Sequence, residues 1–360
     1  MEKNNENGNF AKVRGVLTGL APYIAIAIFL IGIAISLAGP YFRVKLDEGG
    51  ETVTHYYGLI DMISNASFKP SLRSYFIVIY LGFPVLSAIL IVLGRFNTRF
   101  YTAATILLLF SGVNSIASGY VINYVFTWSA EPAKIQIWGV LPIVCFFVSA
   151  LMTLVINGKE ESFTISDITE AGITVALAFI FNLITFFKMP TGGSVNLQML
   201  PLFIYAIRRG PLKGFVTAGI IFGLLTCLTD GYGIATFPFD YLLGIGSVAI
   251  VGFFGNLILG KDQKNYNLKG EIFIFVGCAI ASAVRFAAGS VSSMLLYGYE
   301  LDAAALYNVG YVFVSGGIAT VAIMALYGPL ARVNSFFPVK SVEVKGKEEN
   351  KESSLEEPKE

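Results

Sequence analysis

The sequence predicts an all-α integral membrane protein of about ten spanning helices, and three observations carry that reading. Of 360 residues, 55% are hydrophobic and 14% charged, against about 25% charged in an ordinary soluble domain. Mean hydropathy is +0.69. Apolar runs close to the ~20 residues that cross a bilayer recur along most of the chain.

The predicted spans fall at about 15–38, 74–94, 101–127, 136–157, 170–187, 197–208, 213–230, 239–259, 271–297 and 302–330. The first follows Lys3, Lys12 and Arg14 and passes Ser36-Leu37-Ala38, a sequence open to signal peptidase. Its apolar core exceeds the ~7–15 residues of a signal peptide, so it reads as retained. The sixth is short, with Pro201 near its start and Arg208-Arg209 at its end, and reads as a half-buried or broken helix. Residues 40–73 read as a long loop. The most polar internal stretch, Asn157 to Thr169, divides the chain into a four-helix block at 1–157 and a six-helix block at 165–335. The segment 339–360, rich in Lys, Glu and Ser, reads as a disordered cytoplasmic tail.

Charge matters here by position. The 25 Lys and Arg against 24 Asp and Glu leave a net +1, so no basic excess points to nucleic acid. Most of these cations fall in segments that share a side with the N-terminus. Only Arg43, Lys45, Lys69, Arg73, Lys134 and Lys188 fall opposite, with Arg285 inside a span. The positive-inside rule therefore expects both termini in the cytoplasm of a plasma-membrane protein.

Familiar catalytic and cofactor signatures are missing their parts. Cys145, Cys227 and Cys278 sit singly in apolar runs, and His55 is the only histidine, so no metal centre, cofactor or Ser-His-Asp triad is expected. The run Gly255 to Asp262 approaches a phosphate-binding loop, but Asp262 stands where Ser or Thr must bind the metal. An enzyme is not expected.

Polar side chains in lipid are costly unless they face a cavity or a partner. Four helices of the second block carry them at helical spacing: Thr174, Asn182 and Thr185; Asp240, Gly244 and Ser247; Ser282, Arg285, Gly289 and Ser292; Asn308, Tyr311 and Ser315. Serines and glycines alone also serve helix packing, whereas Asp240 and Arg285 point to a shared polar centre or to a structural pair with each other. The Gly- and aromatic-rich loops Met189 to Asn196 and Asp230 to Phe239 suit lids over it.

At this block the sequence resembles a known family. Asp167-Ile168-Thr169-Glu170, then Met189-Pro190-Thr191-Gly192-Gly193-Ser194-Val195-Asn196, then Arg208-Arg209-Gly210, Asp240-Tyr241 and Tyr307-Asn308 closely resemble the ThiT-type thiamine-binding S components of energy-coupling factor transporters, over about 170 residues. The resemblance implies a six-helix membrane subunit that captures thiamine or a related pyrimidine compound from outside. Its implied partners are a membrane-embedded coupling protein and two cytoplasmic ATPases. It implies Asp240 and Asn308 as contacts of the pyrimidine, Tyr241 as the aromatic neighbour, Tyr232 as a pocket tyrosine, and Gly193 and Ser194 as parts of the closing loop. The small-xxx-small pair Gly172 and Ala176 is implied to meet the coupling protein. This chain departs from the pattern at Arg285, where the family carries histidine before Phe-x-x-Gly, and at Ser293, where an aromatic is expected. An arginine there suits an anionic ligand better than a bare thiazolium cation. The alternative reading is a self-sufficient secondary transporter or channel, although no inverted repeat joins the two blocks.

Overall fold

The computed structural model describes residues 2–65, 70–125, 129–157, 162–189, 192–259 and 268–336. The expected tail at 339–360, residues 158–161 of the expected boundary, and Pro190 and Thr191 of the loop motif lie outside the described residues.

The first block runs α1 (Glu2–Ala38), a hairpin of β1 (Pro40–Glu48) and β2 (Glu51–Gly58), α2 (Leu59–Ser64) and α3 (Pro70–Ile77). From α3 it passes through a π-helical turn into α4 (Phe83–Leu93), then α5 (Arg99–Val125), β3 (Ser129–Ile135) and α6 (Ile137–Asn157). The stretch expected as a loop is therefore partly sheet, with strand order β2-β1-β3. Gly49 and Gly50 make the hairpin turn between paired Glu48 and Glu51, with φ of 69° and 94°. Both values are left-handed, which is why two glycines sit there. Phe42, Val44 and Leu46 alternate inward along β1 and are buried, giving the sheet its packed face.

The second block runs α7 (Ile165–Leu183), a short hairpin of β4 (Thr185–Lys188) and β5 (Ser194–Asn196), α8 (Met199–Arg209) and α9 (Pro211–Phe215). A π-helical stretch leads to α10 (Gly223–Thr229), and a wall of mixed helical geometry from Ile234 to Val248 leads to α11 (Ala249–Gly252). It closes with α12 (Gly255–Leu259), α13 (Leu268–Leu296) and α14 (Leu301–Phe336). Thr164 caps α7: its hydroxyl accepts from the Asp167 N–H at 3.2 Å while the Asp167 carboxylate accepts from the Thr164 N–H at 2.8 Å. Gly210, at φ 90°, lets the chain turn between Arg209 and Pro211, a conformation any Cβ would strain.

Nine helices among the described residues are long and apolar enough to cross a membrane, and together with α8 they reproduce the ten expected segments. Eleven-residue α8 is about 16 Å long at 1.5 Å per residue and cannot span alone. Met199 to Phe203 and Tyr205 to Arg208 are all buried, so neighbouring helices, and not lipid, surround it. Elsewhere large side chains face outward, among them Leu30, Ile31, Val92, Leu151 and Val321. Such a surface would be a liability in water and is the natural one in hydrocarbon.

The two blocks touch where the Phe239 ring makes T-shaped contacts with Tyr75, 5.6 Å between centroids, and Phe110, 6.3 Å. Arg99 also donates to the Phe253 carbonyl at 3.1 Å. Beside these contacts lies an apolar crevice of about 660 Å³, lined from both blocks by residues including Ile79, Phe83, Ile106, Phe239 and Val291.

Candidate ligand-binding site

Ionisable side chains of the second block lie toward its two ends, with Arg285 the exception, well inside α13. At one end, Arg208 Nε donates to Glu170 at 2.6 Å, Arg209 Nε to Glu170 at 2.7 Å, Arg209 Nη1 to Asp167 at 2.8 Å and Lys213 to Asp167 at 2.8 Å. This network ties the start of α7 to the end of α8. Asn182, fifteen residues further along α7, lies about 22 Å away at the other end, where the cavity opens.

That cavity is lined by all seven residues expected at the site: Gly193, Ser194, Tyr232, Asp240, Tyr241, Arg285 and Asn308. Asn182, Gln198, Asp230, Gly289, Tyr307 and Tyr311 line it as well. Asp240 stands on the π-helical part of the wall, Phe237–Leu243, a geometry that recurs at functional sites. It accepts a hydrogen bond from Ser292 of α13 at 2.7 Å. The structural pair of Asp240 with Arg285, one of the two readings open from sequence, does not form. Arg285 is 9% exposed and its Nη1 has no hydrogen-bond partner.

Asn308 is 1% exposed and held on three sides. Its amide nitrogen donates to Ser293 at 3.0 Å and to the Ala304 carbonyl at 2.8 Å, and its oxygen accepts from Tyr311 at 2.9 Å. Both amide protons are committed, so one lone pair on Oδ1 is what the side chain can offer a ligand without rearranging. The Ser293 that departs from the family pattern is thus the partner of Asn308. Gly289 packs against this group, and a Cβ there would collide with Asn308 Oδ1.

The β4–β5 hairpin covers the cavity. Asn196 donates to Asn182 at 3.0 Å and to Ser194 at 2.9 Å, the Gly193 N–H donates to Tyr307 at 3.1 Å, and Ser315 donates to the Ser194 carbonyl at 3.3 Å. Gly192 adopts φ 118° with Tyr232 against it, and a Cβ at Gly193 would strike Tyr311, so close ring packing explains the paired glycines. At the rim, Tyr241 donates to Asp230 in a short hydrogen bond. Burial raises the pKa of Asp230 above the ordinary carboxylate range, against the Tyr241 hydrogen bond, which lowers it.

Sequence reasoning had no role for Gln198, Tyr297 or the Asp230–Tyr241 bond. Gln198 directly precedes α8, and Tyr297 with Tyr299 and Tyr307 resembles an interfacial aromatic belt. The tyrosine clustering was the available signal. Gly172 and Ala176 lie apart from this site, both exposed on the outer face of α7.

The family described as thiamine transporter protein (Thia_YuaJ) matches residues 168–334. The thiamine transporter ThiT of Bacillus subtilis (strain 168) is 31% identical over 187 residues, an alignment that takes in 47% of this chain and 93% of that protein. The chain belongs to the thiamine transporter family. A solved structure, ThiT from Listeria monocytogenes, is 20% identical and covers 46% of this chain and 96% of that one, with a TM-score of 0.41. In this member of the thiamine transporter family the matched region holds every residue that lines the cavity, while residues 1–167 lie outside the match. The protein is multi-pass and belongs to a family of transporters, not of enzymes.

Proposed function

We propose that this chain is the substrate-capture subunit of an ATP-driven vitamin importer whose ligand is thiamine or a related pyrimidine compound. One observation carries the reading: Asp240 of the π-helical wall and Asn308 of α14 line the same cavity, beneath a hairpin that contributes Gly193 and Ser194. Tyr232 and Tyr241 add aromatic faces beside them, and Asp240 supplies a charged acceptor for a ring amine or amide.

In this reading residues 165–335 form the substrate-binding unit and 1–157 a separate membrane block. The protein sits in the plasma membrane with both termini in the cytoplasm, and the cavity opens outward. Energy comes from two cytoplasmic ATPases through a membrane-embedded coupling protein that docks on the exposed Gly172–Ala176 face, where small side chains admit close helix approach.

Thiamine titration of the purified protein in detergent tests the ligand. Saturable binding is expected, and Asp240→Asn should weaken it by about 10- to 100-fold, the range for losing a charged hydrogen-bond partner from a desolvated pocket. Unchanged affinity in that variant would overturn the assignment. Reconstitution with and without the ATPase module tests the energy source: uptake in vesicles that contain no ATPase would favour the secondary-transporter reading.

A further inference from the structure

Arg285 lies well inside the 29-residue span of α13, lines the ligand cavity, is 9% exposed, and leaves Nη1 without a hydrogen-bond partner. A guanidinium stays protonated in any protein environment, so this is a permanent charge inside the membrane, costly unless something answers it. The groups within its electrostatic reach are Asp240, Tyr311 and Tyr241. Each is engaged elsewhere: Asp240 accepts from Ser292 at 2.7 Å, Tyr311 donates to Asn308 at 2.9 Å, and Tyr241 donates to Asp230. The cavity thus presents an acidic contact and, within its electrostatic reach but not ion-paired to it, a guanidinium whose Nη1 makes no hydrogen bond.

We propose that Arg285 is an anion subsite of this pocket, and that the preferred ligand carries a covalently attached anionic group, a phosphate ester foremost, alongside the donor-bearing ring that addresses Asp240. The proposal rests on the ligand class advanced above and refines it. The guanidinium fork matches phosphate oxygens two at a time, which a point charge does not. A bare thiazolium cation brought to the same place meets like charge. A ligand with a cationic or donor-rich end and an anionic end satisfies both walls together.

Thiamine and thiamine monophosphate are titrated against the full-length protein in detergent, in buffer free of phosphate, using wild type, Arg285→Gln and Arg285→Lys. The wild type is expected to bind the ester about 10- to 100-fold more tightly than thiamine, the range for a charged hydrogen bond. Arg285→Gln should lose that ratio, and Arg285→Lys, which keeps the charge without the fork, should retain part of it and serve as the control for a variant that fails to fold. A wild type that prefers thiamine, or a ratio unchanged by Arg285→Gln, overturns the proposal. Thiamine affinity that rises with added inorganic phosphate in wild type but not in Arg285→Gln would assign the subsite to a free ion and overturn the covalent-anion claim. Absence of binding by both compounds would overturn the ligand class itself, so the two failures are told apart.

Discussion

Ser292 donates its hydroxyl to the Asp240 carboxylate at 2.7 Å across the wall of the cavity, and this contact, rather than an ion pair with Arg285, is what Asp240 makes. The serine holds an acceptor in place without neutralising it. A pocket built this way keeps its acidic and basic groups available to a ligand.

Removing that hydroxyl frees Asp240 to reorient. Ser292→Ala is expected to lower thiamine affinity by roughly 5- to 10-fold, about 1 kcal/mol for one intramolecular hydrogen bond. The protein should unfold within a few degrees of wild type. Titration alongside thermal unfolding in detergent separates the two effects, and an affinity equal to that of wild type would mean that Asp240 needs no orienting partner.

Gly289 is the close-approach position of α13. In Gly289→Ala the new methyl strikes Asn308 Oδ1, the atom that carries the one lone pair left for a ligand. Affinity should fall more than about tenfold while stability falls by ~1–3 kcal/mol, the usual cost of overpacking. A variant that binds like wild type would show that Asn308 does not contact the ligand.

At the other end of the bundle, Asp167 answers Lys213 and Arg209, with side-chain exposures of 2%, 9% and 9%. Asp167→Asn leaves three cations, Arg208, Arg209 and Lys213, against one remaining carboxylate, that of Glu170, and takes from Lys213 the carboxylate it pairs with. Breaking a buried pair from one side costs about 3–5 kcal/mol, so a large drop in the unfolding temperature is expected. The cavity is about 22 Å away along α7, so affinity in the folded fraction should stay within about threefold.

Asp230 makes a pH prediction outside the spans. Burial raises its pKa in the folded chain, so the folded state holds this proton to a higher pH than the unfolded state does. Between the ordinary aspartate value of ~3.9 and the raised one, fewer protons are bound in the unfolded state, and stability therefore falls as pH rises through that window. Asp230→Asn should remove this component. Unfolding temperatures of both proteins, followed upward from pH 4, should converge at the acid end and separate in favour of the variant at higher pH.

Gly172 tests docking separately from binding. A Cβ there meets nothing within 4 Å, so Gly172→Leu should fold and bind thiamine as wild type does. Uptake through the ATPase module should nevertheless be lost if this face meets the coupling protein. Full uptake by the variant would place docking elsewhere.

Much of this was legible from residue order alone. Hydrocarbon thickness sets the length of a span, so the apolar runs located the spanning helices, most of them to within about five residues. The eighth ends at Gly252 and not at 259, and the fifth ends at Leu183, with Thr185 in β4 and not on the helix. Charged and amide groups rarely face lipid, so Asp240, Arg285 and Asn308 stood out as a polar centre, and all three line one cavity. The β1–β2 hairpin was missed even though Gly49-Gly50 between strand-forming residues was a usable signal; a loop of that length between spans drew no strand reading.

What order along the chain could not decide was which groups answer which. Asp240 meets Ser292, 52 positions away, and Asn308 meets Ser293, 15 positions away. No periodicity encodes such pairs, because they depend on how α13, α14 and the π-helical wall rotate against one another. Composition and spacing determined a membrane bundle with a polar interior, since bilayer thickness and the cost of burying charge act on local sequence. The tertiary packing alone decided that Arg285 would line the cavity with its Nη1 unbonded and no ion pair to Asp240, since hydrogen bonds of a few ångströms are closed only when distant helices meet.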